Sequence, residues 1–242
     1  MLKDIEGIAF DLDGTLYPNY RFNVKLIPFI LKEGRLLSAF GRARNIIRKE
    51  QEDPSCAGQM DDFYQRQAVV TAKLLSAPCR KTGHKPRREI PPQLIKEKID
   101  LLIYKGWEPM FKTVKLFKRA PETLTALKKA GFKLGLLSDF PPEIKLDYLG
   151  IPGIWDVTLC SERCGALKPH PLPFTELAAA MSLPPEKILY VGNSRSYDVA
   201  GANRAGMKTA WIKSALSLKR CKNPAPDFIF SDYRQLHDFM LN

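Results

Sequence analysis

A short apolar run near the N-terminus leads directly into two carboxylates. Residues 5–10 form the run, and Asp11, Asp13 and Gly14 follow it. The run is too short for a helix and predicts a buried strand that ends at the glycine turn, although an ordinary Asp-x-Asp-Gly turn is an alternative. Because strand side chains alternate between faces, Asp11 and Asp13 would point the same way if the strand continued. Such a pair is costly without a cation, and Mg²⁺ prefers oxygen ligands.

Composition places the chain among globular proteins. Its 242 residues are 45% hydrophobic, which is enough for a core and argues against disorder. No apolar run approaches the ~20 residues of a membrane span, and the N-terminus lacks a signal-peptide core, so we expect a cytoplasmic protein without a membrane partner. The five cysteines contain no Cys-x-x-Cys pair, which supports neither a disulfide framework nor a zinc site.

The positive charge is concentrated in one part of the chain. The net charge is +12, and residues 20–119 hold 22 Lys and Arg against 10 Asp and Glu, so the remaining residues are neutral overall. This division suggests two modules with different roles. A nucleic-acid partner would explain the basic region, but no binding motif occurs there, and solvated helix faces are the preferred explanation.

The segment from residue 17 to residue 117 is predicted to be entirely helical. A helix is expected at 22–37, with Pro28 and Gly34 as weak points, and it continues at 38–52. Further helices are expected at 61–75 and 92–105, with a basic loop at 78–88 between them. Arg42, Arg44, Arg48 and Lys49 have the spacing of one basic helix face. We expect this face to attract an anionic substrate or simply to remain solvated.

Strands and helices alternate after residue 118. Strands are predicted at 132–137, 157–160, 188–191, 208–212 and 227–230, and helices at 121–130, 142–149, 171–181, 198–205 and 232–241. The alternation implies an α/β fold, a Rossmann-like doubly wound parallel sheet formed by residues 1–16 and 118–242. Ligands of such sheets lie at the carboxyl ends of the strands, and the helical segment of residues 17–117 is inserted at the same end, where it can cover the site.

Polar residues stand at the ends of four predicted segments. Asp11 and Asp13 follow the first strand, Ser138 follows the second, Lys168 precedes a helix, and residues 192–198 follow another strand. Each residue by itself has an ordinary explanation as a turn, cap or solvated residue. Their joint order at strand and helix ends predicts a single site.

These segments resemble the four motifs of the haloacid dehalogenase-like hydrolase superfamily. Residues 11–15 resemble its first motif, Asp-x-Asp-x-Thr, and Ser138 resembles the second. Lys168-Pro169 resembles the third motif, and residues 192–198 resemble the fourth. The resemblance implies a Mg²⁺-dependent phosphomonoester hydrolase that acts on a small phosphorylated metabolite, with a helical cap.

The resemblance also implies a role for each residue. Asp11 would attack phosphorus and form an aspartyl phosphate, and Asp13 would act as general acid and then general base. Ser138 and Lys168 would hold the phosphate oxygens. The further substrate-binding residues would be Thr15 and Asp139, and the Mg²⁺ ligands would be Asp11, Asp13, Asn193 and Asp198.

Two departures from the family pattern leave alternatives open. Asn193 stands where the family usually has Asp, which should weaken Mg²⁺ binding, and Asp139 stands where Asn is frequent. A metal-independent haloacid dehalogenase is favoured by Asn193 but opposed by Asp13. A phosphomutase would have to exclude water, and a weakened member acting as a binding protein is opposed by the intact Asp11 and Lys168. The substrate could be a sugar phosphate, phosphoglycolate or a nucleoside monophosphate.

Overall fold

The computed structural model describes residues 4–52, 62–77, 89–213 and 224–242. The chain divides into two compact units, Met1–Tyr20 with Thr113–Asn242 and Arg21–Lys112. The sequence predicted the corresponding boundaries at residues 16 and 117. The predicted basic loop at 78–88 lies outside the described residues.

Strands and α-helices alternate in the first unit. A helical segment interrupts this alternation after the first strand. In chain order they are β1 (Gly7–Phe10), α1 (Asn19–Glu50), α2 (Phe63–Ser76), α3 (Pro92–Ile99), α4 (Ala120–Lys129), β2 (Lys133–Ser138), α5 (Glu143–Leu149), β3 (Val157–Cys160), α6 (Leu172–Met181), β4 (Ile188–Gly192), α7 (Ala200–Arg204), β5 (Lys208–Ile212), β6 (Phe228–Phe230) and α8 (Tyr233–Leu241). Shorter 3₁₀ turns are Glu108–Thr113, Pro152–Ile154 and Pro185–Lys187, and π-helical turns are Asp100–Lys105 and Arg195–Val199.

The six strands form one parallel sheet in the order β3-β2-β1-β4-β5-β6. The central strand β1 pairs with β2 and β4, and Phe10 stands opposite Leu136 on one side and Val191 on the other. All four residues of β1 are buried, as expected for a strand with both faces covered. The α/β prediction of a doubly wound parallel sheet with a helical segment is confirmed. The carboxyl ends of β1, β2 and β4 therefore lie side by side.

One face of the sheet is covered by α6. Phe174 and Leu177 of this helix share a buried cluster with Ala9 of β1 and Tyr190 of β4. The helix approaches closely at Gly135, where a Cβ atom would lie 2.6 Å from Sδ of Met181. The absence of a side chain at this position in β2 lets α6 pack directly on the sheet.

Several predicted helices differ in extent from the observed ones. The helix predicted at 22–37 and its continuation at 38–52 form α1, which is kinked at Glu33 (φ −117°, ψ 19°) next to Gly34, one of the predicted weak points. The helix predicted at 92–105 changes from α3 to a π-helical turn after Ile99. The one predicted at 198–205 begins earlier, in the π-helical turn Arg195–Val199. Glycine and local widening of the backbone are known causes of such breaks.

Arg44 corrects the prediction of one basic face on α1. The residue is only 4% exposed, and its Nη1 donates a hydrogen bond to Oε1 of Gln67 at 3.1 Å. Positions 40, 44 and 47 lie on one side of a helix, and Phe40 and Ile47 are also buried. Arg44 therefore ties α1 to α2 inside the second unit, whereas Arg42 is exposed.

The second unit has its own aromatic core. Phe22 stacks on Phe111 with ring centroids 4.7 Å apart, and Trp107 meets Phe22 edge-on at 5.6 Å.

Within the described ranges, none of the helices in either unit combines the length and apolar character needed to cross a membrane.

Candidate active site

The loop after β1 turns sharply at a glycine. The amide of Asp11 continues the sheet pattern by donating to the carbonyl oxygen of Val191 at 2.9 Å. Gly14 has a φ of 91°, in the left-handed region that favours glycine. A Cβ atom there would lie 2.0 Å from Nδ2 of Asn193. The first and fourth sequence motifs are thus in contact because Gly14 has no side chain.

The ammonium of Lys168 binds carboxylates from two motifs that are distant in the chain. Its buried ammonium lies 2.6 Å from Oδ1 of Asp11 and 2.8 Å from Oδ1 of Asp198. The same ammonium contacts the hydroxyl of Tyr190 at 3.3 Å. On the other side of Asp11, Thr15 donates its hydroxyl to Oδ2 at 2.7 Å. Both oxygens of the Asp11 carboxylate are therefore fixed by hydrogen bonds.

This cluster has more negative than positive charge. Burial, together with the charge of Asp198, raises the pKa of Asp11 to about 7, although Lys168 opposes the rise. Burial disfavours the charged form of Lys168, but Asp11 and Asp198 outweigh it and raise the pKa of the ammonium. Lys168 therefore stays charged, and one ammonium serves two buried carboxylates. A further cation would relieve the remaining repulsion.

Asp13 lies outside the Lys168 cluster and has its own cation. Nζ of Lys145 lies 2.8 Å from Oδ1 of Asp13 and 2.7 Å from Oδ2. Tyr17 also donates its hydroxyl to Oδ1. The strand β1 ends at Phe10, so the alternation that would align the two aspartates does not continue. Asp11 and Asp13 consequently engage different lysines.

The second motif lies at the end of β2. Ser138 is fully buried, and its hydroxyl oxygen accepts a hydrogen bond from the amide of Phe140 at 3.2 Å. Oδ1 of Asp139 accepts one from the amide of Lys168 at 3.3 Å. Nζ of Lys168 lies 3.4 Å from the carbonyl oxygen of Leu137, the residue before Ser138. These contacts join the second motif to the third.

Asp198 and Asn193 occupy different positions in the fourth motif. Asp198 is buried, and its Oδ2 accepts the amide of Ser194 at 2.9 Å while Oδ1 faces Lys168. Asn193 is half-buried, and its backbone oxygen accepts Nε1 of Trp211 at 2.9 Å. Only Asp198 of these two therefore belongs to the hydrogen-bonded Lys168 cluster.

The donor set suits a hard cation in charge and in chemistry. Burial and repulsion from Asp198 raise the pKa of Asp11, and a divalent cation would relieve the repulsion. Carboxylate and amide oxygens are the ligands that Mg²⁺ prefers. Within the described residues, no three His, Cys, Asp or Glu side chains are grouped to hold a metal. A site here would have to include a non-acidic oxygen such as the amide of Asn193.

Sequence reasoning missed three residues of this site. Lys145 contacts Asp13 across 132 positions of the chain, and Tyr190 contacts Lys168 across 22, and no sequence pattern marks either contact. Tyr17 is four residues from Asp13 and carried a weak local signal, because both flank the same turn.

Comparisons with known proteins agree with the motif assignment. A family model described as haloacid dehalogenase-like hydrolase matches residues 5–206. A phosphoglycolate phosphatase from Salmonella typhimurium is 29% identical over 253 residues, which cover 97% of this chain and 92% of that protein. A glyceraldehyde 3-phosphate phosphatase from Methanopyrus kandleri is 26% identical over 240 residues, which cover 97% of this chain and 96% of that protein.

Solved structures share the fold over the full length. A phosphatase structure from Thermococcus onnurineus gives a TM-score of 0.62 at 21% identity and covers 98% of both chains. A 2-haloacid dehalogenase from Pseudomonas syringae gives 0.63 at 23% identity, again over 98% of both. The fold by itself therefore accommodates both kinds of enzyme.

Proposed function

Because the chain belongs to the haloacid dehalogenase-like hydrolase family, we propose that it hydrolyses a small phosphomonoester through an aspartyl phosphate on Asp11. The observation that carries the proposal is the buried carboxylate of Asp11, which Thr15 and Lys168 hold at 2.7 Å and 2.6 Å. A carboxylate fixed at both oxygens is oriented for attack and loses little entropy on reaching phosphorus. The names of the two relatives support a phosphatase.

The first half-reaction forms the covalent intermediate. An oxygen of Asp11 attacks phosphorus, the ester P–O bond breaks, and Asp13 gives its proton to the departing oxygen. Ser138 and Lys168 bind phosphate oxygens and balance the charge that builds up there. Thr15 and Asp139 support this binding by holding Asp11 and the backbone of Lys168.

The second half-reaction returns the enzyme to its starting state. Asp13 takes a proton from water, the hydroxide oxygen attacks phosphorus, and the bond between phosphorus and the Asp11 oxygen breaks. Inorganic phosphate and the free Asp11 carboxylate result. Mg²⁺ held by Asp11, Asp198 and the amide of Asn193 would shield the repulsion between carboxylate and phosphate. Asp13, which the sequence also predicts as a ligand, is engaged by Lys145 instead.

The substrate proposed is a short-chain phosphomonoester. The two named relatives act on phosphoglycolate and on glyceraldehyde 3-phosphate, both of which have short carbon chains. Haloacid dehalogenation is the second candidate, and the observation that favours it is Asn193 in place of an acid. Asp13 opposes it, because the family members with that activity lack a second aspartate in the first motif.

A substrate panel tests both candidates. Phosphate release from phosphoglycolate, glyceraldehyde 3-phosphate, nucleoside monophosphates and para-nitrophenyl phosphate is measured with Mg²⁺ and with EDTA. Halide release from 2-chloropropionate is measured in parallel. We expect Mg²⁺-dependent phosphate release, greatest for a short-chain substrate, and no halide. Halide release in EDTA without phosphatase activity would establish the dehalogenase instead.

A further inference from the structure

Lys145 lies next to the motif residues, and no motif includes it. It belongs to the first turn of α5, and its ammonium bridges the two carboxylate oxygens of Asp13 at 2.8 Å and 2.7 Å. The two residues are 132 positions apart in the chain. Their side chains are 13% and 27% exposed, so the pair lies near the surface and is only partly shielded from water. A bridging contact of this kind restricts how the carboxylate can rotate.

Other contacts hold Lys145 and the loop of Asp13 in place. The ammonium of Lys145 lies 5.3 Å from the ring centroid of Phe140, in the loop that follows Ser138. The side chain of Asn19 donates to the backbone oxygen of Asp13 at 3.3 Å. Lys145 thus joins the loops that follow β1 and β2 at the carboxyl ends of both strands.

We propose that Lys145 is a positioning residue that holds the carboxylate of Asp13 for proton transfer. The inference rests on the proposed function, since the acid–base role of Asp13 belongs to it. Proton transfer needs the carboxylate within hydrogen-bond reach of the leaving oxygen, and a displacement of about 1 Å costs much of the rate. The contact to both oxygens is that of the ionised carboxylate. When Asp13 is protonated, one oxygen carries the transferable proton and Lys145 holds the other. The proton moves only between Asp13 and the leaving oxygen or water, and Lys145 keeps its own protons throughout.

The proposal predicts that Lys145 matters most when the leaving group needs a proton. An alkoxide is a poor leaving group and depends on general acid catalysis, whereas para-nitrophenolate departs without a proton. A residue that only stabilised the fold would affect both substrates alike. The value of kcat/KM reports the first half-reaction and is therefore the quantity to compare.

The test uses Lys145→Met, which keeps a long apolar chain but removes the ammonium, and Lys145→Arg, which retains a cation. Lys187→Met is the matched control, because Lys187 pairs with Glu6 at the surface of the same unit. Activity is measured with ethyl, phenyl and para-nitrophenyl phosphate. We expect Lys145→Met to lower kcat/KM for ethyl phosphate at least about tenfold and for para-nitrophenyl phosphate less than about threefold. Lys145→Arg should recover part of the loss, and Lys187→Met should match wild type.

A double-mutant cycle decides whether Lys145 acts through Asp13. Phenol release in the first turnover of phenyl phosphate is compared for Lys145→Met, Asp13→Asn and the double variant. If Lys145 acts by holding Asp13, adding Lys145→Met to Asp13→Asn produces no further loss. Equal losses on all three substrates, or additive losses in the cycle, would overturn the proposal.

The design separates this inference from the proposed function. A wild-type protein that hydrolyses none of the phosphate esters contradicts the proposed function. An active wild type whose Lys145→Met variant loses activity uniformly contradicts only the role of Lys145. If thermal denaturation shows that Lys145→Met is unfolded, Lys145→Gln replaces it in the same comparisons, with the same expected and contrary results.

Discussion

Two lysine–aspartate pairs flank the end of β1, and they differ in burial and in number of partners. Lys168 and Asp11 have side chains only 4% and 7% exposed, and Asp198 is a second carboxylate on the same lysine. Lys145 and Asp13 are 13% and 27% exposed, and Tyr17 adds a hydroxyl. The buried pair lies where the nucleophile is proposed, and the more exposed pair lies where the proton donor is proposed.

This difference shows how the surroundings give the same two residue types different properties. In the buried cluster each charge has lost its water, so removal of the shared lysine leaves two carboxylates without a partner and carries a large penalty. In the pair nearer the surface, water screens the charges and the contact mainly sets orientation. The proposed nucleophile is thereby held rigidly, whereas the proposed acid–base residue keeps access to water.

The largest expected effect comes from removing the nucleophile on the buried side of this comparison. Asp11→Asn should reduce phosphate release by at least about 10³-fold, because an amide cannot form the aspartyl phosphate. The thermal midpoint should stay the same or rise, since repulsion with Asp198 is removed. Initial rates and differential scanning calorimetry measure both. Turnover near that of wild type would show that Asp11 is not the nucleophile.

Replacing each lysine in turn should lower the free energy of unfolding by different amounts. Lys168→Met should lower the free energy of unfolding by about 3–5 kcal/mol, because Asp11 and Asp198 would be left buried together. Lys145→Met should lower it by about 1 kcal/mol or less, since its pair is partly hydrated. Urea denaturation measures both values. Similar losses for the two variants would mean that burial does not distinguish the pairs.

The pH dependence of stability should report the buried pair. Burial and the charge of Asp198 raise the pKa of Asp11 from 3.8 to about 7, so the folded state binds more protons than the unfolded state between these values. Stability contributed by this group is therefore lost as pH rises from about 4 to about 7.

The measurement is the thermal midpoint of wild type relative to Asp11→Asn across this pH range, in EDTA. The difference should fall with rising pH, and saturating Mg²⁺ should flatten it, because a cation favours the carboxylate. A difference that is constant with pH would mean that Asp11 titrates normally.

The smallest expected effect concerns the charge that is missing at position 193. Asn193→Asp adds a carboxylate beside the excess negative charge of the Asp11 cluster and should tighten Mg²⁺ binding about tenfold. Titration calorimetry of both proteins measures the affinity, and Asn203→Asp, at an exposed position on α7, is the control for added charge. Unchanged or weaker affinity in Asn193→Asp would show that the missing charge does not limit metal binding.

Most of the fold could be predicted from local patterns. Alternating apolar strands and amphipathic helices predicted the parallel sheet, because a buried strand and a one-sided helix each leave a distinct period in the sequence. Element ends were less accurate: α1 begins at Asn19 rather than at residue 22, and Asp198 was expected in a helix that in fact begins with a π-helical turn. Such ends depend on packing and on hydrogen bonds from neighbouring segments.

Arg44 shows where a local pattern misleads. Its spacing with Arg42 and Arg48 predicted one basic surface, but tertiary packing buries it against Gln67. Arg42 and Arg44 are two positions apart and therefore lie on roughly opposite sides of a helix, and the sequence does not show which of them faces inward.

The sequence by itself determined that Asp11, Asp13, Ser138, Lys168 and Asp198 stand at strand and helix ends, because chain order and strand period set those positions. Only the tertiary structure decided the partners: Lys168 meets Asp11 across 157 residues, and Lys145 meets Asp13 across 132. These contacts depend on how strands β1, β2 and β4 pair in the sheet. They also depend on which lysine side chains of the later segments face the strand ends. The burial that separates the two pairs arises from that packing and has no local trace in the sequence.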